Sequence, residues 1–134
     1  SNLMNIADVS RPTPRGAPMV PGSSVPLSEV KAELFKALAH PARIRALELL
    51  VESEYSVGDL QPLVGIESSH LSQQLAVLRR AGLVATRKDG SSVIYAIKDP
   101  LVAELLLVAK RFLLSSLAET RDLLADLGAP SAGS

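Results

Sequence analysis

Apolar side chains recur along the middle of the chain as they do on amphipathic helices. Leu27, Val30, Leu34, Phe35 and Leu38 repeat at helical spacing and predict a first helix. Pro41 then stands where a second helix can begin, because the first helical position has no intrahelical N–H bond to lose. That second helix is expected to turn Ile44, Leu47 and Val51 inward and to leave Arg43, Arg45 and Glu48 in solvent. Ser56 followed by Asp59 has the form of a capping box and opens a short third helix through Leu60 to about Val64, which Pro62 is expected to shorten or kink. Gly65 ends it, and a fourth helix follows from about Ser68 to Arg80, stopped by Ala81 and Gly82.

The period then changes. Residues 83–88 and 92–97 alternate in the manner of strands, and Asp89-Gly90 between them offers the positive φ that a tight hairpin turn needs. Asp99-Pro100 opens a long last helix to about Leu127. Its apolar positions, Leu101, Leu105, Val108, Phe112, Leu113, Leu117, Leu124 and Leu127, spread over more than one stripe, so one face cannot hold them all. A helix apolar on two sides at the edge of a small domain packs its own core with one side and a partner subunit with the other, which predicts a homodimer. Residues 1–26 hold five prolines among Gly, Ser and Arg, and residues 129–134 are Ala, Pro, Ser and Gly. Both are expected to be disordered, leaving 27–128 as one domain.

Composition narrows this picture. With 47% hydrophobic residues in 134 the chain can bury a core, and with 3% aromatics and no Trp that core must be Leu, Val, Ile and Ala. Fourteen basic and fourteen acidic residues cancel, so any electrostatic footprint is local. The absence of Cys excludes disulfides and thiolate metal sites. Neither a secretory signal nor a long apolar run is visible, so the cytoplasm is the expected compartment and no membrane the expected partner.

The third helix, a tight turn and the fourth helix have the order of a helix-turn-helix, whose second helix lies in a DNA major groove. Together with the hairpin they predict a mainly α fold with a small β-hairpin, a winged helix-turn-helix. At about 100° per residue, Leu71, Leu75 and Leu78 share one side of the fourth helix while Ser69, Gln73, Ala76 and Arg80 point away, flanked by His70 and Ser72. With Ser68 and Gln74 these polar residues are the candidates for contact with DNA. Gln can pair in bidentate fashion with adenine, and Ser and His can approach base edges without bulk. Arg79 and Arg80 are placed to meet phosphates, as are Arg87, Lys88 and Ser91 around the hairpin turn. From Glu67 to Gly90 four basic residues face two acidic ones, a local excess in a neutral chain.

Two segments are specific: L-F-K-A-L-A-H-P-A-R-I-R at residues 34–45 and S-S-H-L-S-Q-Q-L-A-V-L-R-R-A-G-L-V at residues 68–84. They resemble the ArsR/SmtB family of bacterial transcriptional repressors over about Leu27 to about Leu124. The resemblance implies a winged-helix dimer on an imperfect palindrome, with the first and last helices forming the interface. The apolar residues there are Leu27, Val30 and Leu34 and then Leu105, Val108, Phe112, Leu113 and Leu117. Many relatives release DNA when a metal binds. Where some of them carry a Cys-x-Cys pair this chain has Ser56 and Gly58, and where others carry His on the last helix it has none between 100 and 127. Asp99, Glu104, Glu119 and Asp122 alone make a poor zinc site, so neither a metal nor a cofactor is expected, and the small-molecule effector, if one exists, stays unnamed.

No nucleophile, base and acid constellation or phosphate-cradling glycine loop is present, which argues against an enzyme. The competing reading is a winged helix kept as a protein-interaction or dimerisation module without DNA binding. His40, next to Pro41 at a helix start, is expected to cap or pack rather than bind metal.

Overall fold

The computed structural model describes residue 22 and residues 24–128. Its elements are α1 (Leu27–Leu38), α2 (Pro41–Glu52), β1 (Tyr55–Ser56), α3 (Val57–Val64), α4 (Ser68–Arg80), β2 (Val84–Asp89), β3 (Ser92–Ile97) and α5 (Pro100–Asp126). The chain divides into two compact units, one running to Asp99 and the other beginning at Pro100. Most of the terminal segments expected to be disordered lie outside the described residues, but Val25 and Pro26, assigned to the first of them by proline spacing, are buried.

Local chemistry explains the element boundaries. His40 caps α2 with its ring: Nδ1 accepts the Ala42 N–H at 3.1 Å. Ser56 Oγ accepts the Asp59 N–H at 3.1 Å and starts α3. Pro62 sits inside α3 without ending it. The carbonyl its missing N–H would have used belongs to Gly58, in the exposed first turn, where loss of one bond is tolerated. At the end of α4 the Leu83 N–H reaches back to the Leu78 carbonyl at 3.0 Å and the Gly82 N–H to Arg79 at 3.0 Å, a closure that requires the left-handed φ of +78° at Gly82.

The core of the first unit is leucine-rich. Ala46 and Leu47 of α2, Leu60 of α3, and Leu71, Leu75 and Leu78 of α4 have no exposed surface, and Leu50 and Val84 are nearly as buried. Two expectations for α2 fail. Val51 is exposed, and Arg43, expected in solvent, is half-buried and hydrogen-bonded. Arg43 is drawn inward because α2 packs between α1 and α4 and its guanidinium bonds to both, to the Ala37 carbonyl and to Gln74.

The wing carries one strand more than the alternation predicts. The sheet order is β1-β3-β2, all antiparallel, with Tyr55 opposite Tyr95 and Ser56 opposite Ile94. Two residues are too few to show a period, and Ser56 already serves as the α3 cap. The hairpin turn also lies one residue later than expected. Asp89 pairs with Ser92, so Gly90 and Ser91 form the two-residue loop. Only Gly90 has positive φ, +62°, as glycine in the first loop position of a II′-type hairpin does.

In the second unit, α5 exposes a long series of large apolar side chains, including Leu101, Val108, Phe112, Leu113 and Leu117. No helix among the described residues is long and apolar enough to cross a membrane.

Candidate nucleic-acid interface

The turn between α3 and α4 is held by its own side chains. Gly65 N–H returns to the Gln61 carbonyl at 2.9 Å, and the Gln61 amide donates to the Ile66 carbonyl at 2.8 Å, closing the three-residue corner. Glu67 is the N-cap of α4 through its backbone, with no capping hydrogen bond from its carboxylate, so its charge acts only through the helix dipole. Three leucines without exposed surface then anchor the inner side of α4.

The outer side matches the helical-wheel expectation at most positions. Ser68, Ser69, His70, Ser72, Gln73, Arg79 and Arg80 are exposed, and Ala76 is half-buried. The N-terminal half of α4 therefore presents serine hydroxyls, an imidazole and a carboxamide as hydrogen-bonding groups, and its last turn presents two cations. The His70 ring meets the His40 ring edge-on, with centroids 6.2 Å apart at 88°, so one flank of the surface rests on the start of α2.

Gln74 is a correction. Counted among the candidates for contact with DNA, it is only 8% exposed, and its Oε1 accepts a hydrogen bond from Arg43 Nη1 at 2.8 Å. At about 60° from Leu71 around the helix, it falls on the flank of the leucine seam rather than on the free face.

The wing cations are also arranged differently from a simple cluster. Strand alternation puts Val84, Thr86 and Lys88 on one face and Ala85, Arg87 and Asp89 on the other, so the adjacent Arg87 and Lys88 point opposite ways. Arg87 shares its face with Ile94 and Ser56, its register neighbours, and reaches across β3 to Glu54, just before β1. Arg87 Nη2 donates to Glu54 Oε1 at 2.8 Å, with both side chains about half exposed. That hydrogen bond, followed by the Coulombic pull of the same carboxylate, raises the guanidinium above its ordinary pKa. Ser91 is exposed in the turn.

Sequence reasoning missed Glu54 and the inward role of Arg43. Nothing in the pattern marks Glu54, because the strand that carries it to the wing is too short to see. For Arg43 a signal exists. Pro41 has no N–H to offer the Ala37 carbonyl four residues earlier, and Arg43 Nε donates to that carbonyl instead, at 2.6 Å. Among the described residues no group of three or more His, Cys, Asp or Glu comes together in a way that could hold a metal ion.

Comparison with known proteins agrees with this architecture. Residues 40–86 match the bacterial regulatory protein, arsR family. The uncharacterized HTH-type transcriptional regulator Rv0081 of Mycobacterium tuberculosis is 59% identical over 107 residues, covering 79% of this chain and 94% of that protein. Its crystal structure superposes with a TM-score of 0.68 at 60% identity, covering 72% of this chain and 98% of that one. The biofilm growth-associated repressor of Xylella fastidiosa is 43% identical over 74 residues, 55% of this chain and 65% of the repressor. A homodimeric winged helix-turn-helix DNA-binding domain, Mb0332 from Mycobacterium bovis, has a TM-score of 0.65 at 29% identity, covering 69% of this chain and 86% of the fragment. With a helix-turn-helix, a wing and a relative this similar over nearly its whole length, the chain belongs to the arsR family of bacterial regulatory proteins.

Proposed function

We propose that this protein is a transcriptional repressor without enzymatic activity that binds a palindromic double-stranded DNA operator as a homodimer. The observation that carries the reading is the outer side of α4. Its exposed Ser69, Ser72 and Gln73 are small or planar, uncharged and backed by three fully buried leucines that hold the helix against the core. Such a face fits a major groove, where Gln73 would take adenine in bidentate fashion and Ser68, Ser69, His70 and Ser72 would meet base edges or phosphates. Arg79, Arg80, Lys88 and Ser91 would meet the backbone, and Arg87 would join them on release from Glu54. Two copies joined through Leu27, Val30 and Leu34 of α1 and Leu105, Val108, Phe112, Leu113 and Leu117 of α5 would set the two reading helices about 34 Å apart, one turn of duplex. The exposure of Val108, Phe112, Leu113 and Leu117 in the single chain supports that interface.

The test is selection of duplexes from a random pool by the purified protein, followed by titration of the winning site and a scrambled one. Gln73→Ala should cost about 1 to 3 kcal/mol on the selected site and little on the scrambled duplex. Recovery of no enriched sequence, with no retention of any duplex in dilute salt, overturns the reading.

A further inference from the structure

Hydrophobic burial holds α4 in place but does not fix its rotation. Leu71, Leu75 and Leu78 make a seam with no exposed surface, and apolar contact is non-directional, so a small roll of the helix about its axis costs that seam little. Gln74 beside the seam adds a buried, directional hydrogen bond. Its partner, Arg43, is itself immobilised: Nε donates to the Ala37 carbonyl at 2.6 Å and Nη2 to the Lys36 carbonyl at 3.1 Å, both in the last turn of α1. The Ala37 carbonyl has no N–H four residues on because that residue is Pro41, and the Lys36 carbonyl, whose i+4 donor His40 turns to Leu38 instead, takes the guanidinium beside the Ala39 N–H at 3.1 Å. With the guanidinium plane so held, Nη1 points to one spot, and Gln74 Oε1 occupies it at 2.8 Å.

We propose, on the basis of the DNA-reading role of α4 argued above, that Arg43 and Gln74 are positioning residues for DNA recognition: the strut from the end of α1 to Gln74 fixes the roll of α4 and thereby the aim of Gln73. A side chain about 5 Å from the helix axis moves by about 1 Å when the helix rolls about 10°. Directed along the 2.8 Å Arg43 bond, a displacement of that size carries it out of hydrogen-bond range, and it is about twice the tolerance of about 0.5 Å within which a preformed recognition group must be held. Gln73, one residue earlier on the same helix, is displaced by the same rotation. Gln74 therefore acts on sequence discrimination from inside the protein, without touching DNA.

The experiment compares three variants with the wild-type protein on the duplex it selects and on a scrambled duplex at one salt concentration, well below each protein's unfolding temperature. Gln74→Leu keeps the buried volume and removes the acceptor. Arg43→Lys keeps the charge at the end of α1 but lacks the fork, so it breaks the same strut from the other side if the first variant does not fold. Gln74→Glu keeps an acceptor and strengthens it with charge. The ratio of specific to scrambled affinity should fall at least about fivefold in the first two, with scrambled affinity unchanged, and should be retained in Gln74→Glu. An undiminished ratio in a folded Gln74→Leu or Arg43→Lys protein overturns the proposal. So does a ratio lost equally in Gln74→Glu, which would mean that Gln74 itself faces the bases. A wild-type protein that prefers no sequence would instead refute the DNA-reading role, an outcome distinct from these.

Discussion

Replacing Glu54 by Gln should make DNA binding by this protein tighter in dilute salt and more sensitive to salt. In the unbound chain Arg87 is held by the Glu54 carboxylate at 2.8 Å. If Arg87 meets a phosphate, it must give up that partner and leave a bare carboxylate beside a polyanion, so ion release from the DNA is offset by cation uptake at Glu54. Glu54→Gln removes the offset while preserving shape. Each phosphate neutralised contributes about 0.9 to the slope of log affinity against log salt, so the variant should be steeper by about that amount. Between about 50 and about 200 mM salt, this compounds to roughly a further 3.5-fold loss of affinity relative to wild type. Fluorescence anisotropy with one labelled duplex across that range reads the slope directly. Since both side chains are half exposed, the pair adds little to folding stability, and the change is not confounded by unfolding. Parallel slopes for the two proteins would refute the reasoning. A steepening that persists when Arg87 is already Ala would show that Glu54 acts as a general surface charge rather than on this arginine.

Other expectations are simpler. Leu75→Ala empties a position with no exposed surface behind the outer face of α4 and should lower unfolding stability by about 2 to 5 kcal/mol in urea titrations; a loss under about 1 kcal/mol would mean that the seam collapses around it. Ser56→Ala removes the acceptor for the Asp59 N–H and should cost about 0.5 to 2 kcal/mol, measured the same way; an unchanged midpoint would show the cap to be dispensable. Phe112→Glu places a charge on an α5 side chain that is 69% exposed in the single chain, so it should leave helicity intact and convert the proposed dimer to monomers in sedimentation; an unaltered mass would remove Phe112 from the proposed subunit interface.

Much of the fold is legible because its boundaries are set by local chemistry. Pro41, Ser56, Gly65, Gly82 and Gly90 each enforce a start, stop or turn, and α1, α2, α4 and both long strands lie within a residue or two of where the pattern sets them. The outward positions of α4 follow from one angle and three leucines. What escaped depends on partners distant in sequence. β1 exists because β3 offers a free edge to Tyr55 and Ser56, which carry no period of their own. Gln74 looks like one more polar residue of a reading helix until Arg43, 31 residues away, claims its amide. Arg87 looks like a tip cation until Glu54, 33 residues away, is brought alongside it. Propensity and periodicity report on a residue's own segment, and polar pairing across segments is invisible to them.

The pairing of β1 with β3 also equips the molecule with a built-in optical probe. Tyr55 and Tyr95 are the only tyrosines in a chain without tryptophan, and they are register partners. Near-ultraviolet emission from the unlabelled protein therefore originates almost entirely at the seam where the wing joins the helical body. Detachment of β1, or a strain passed into β3 when the hairpin tip grips a duplex, would change quantum yield and anisotropy with no dye attached and no residue replaced.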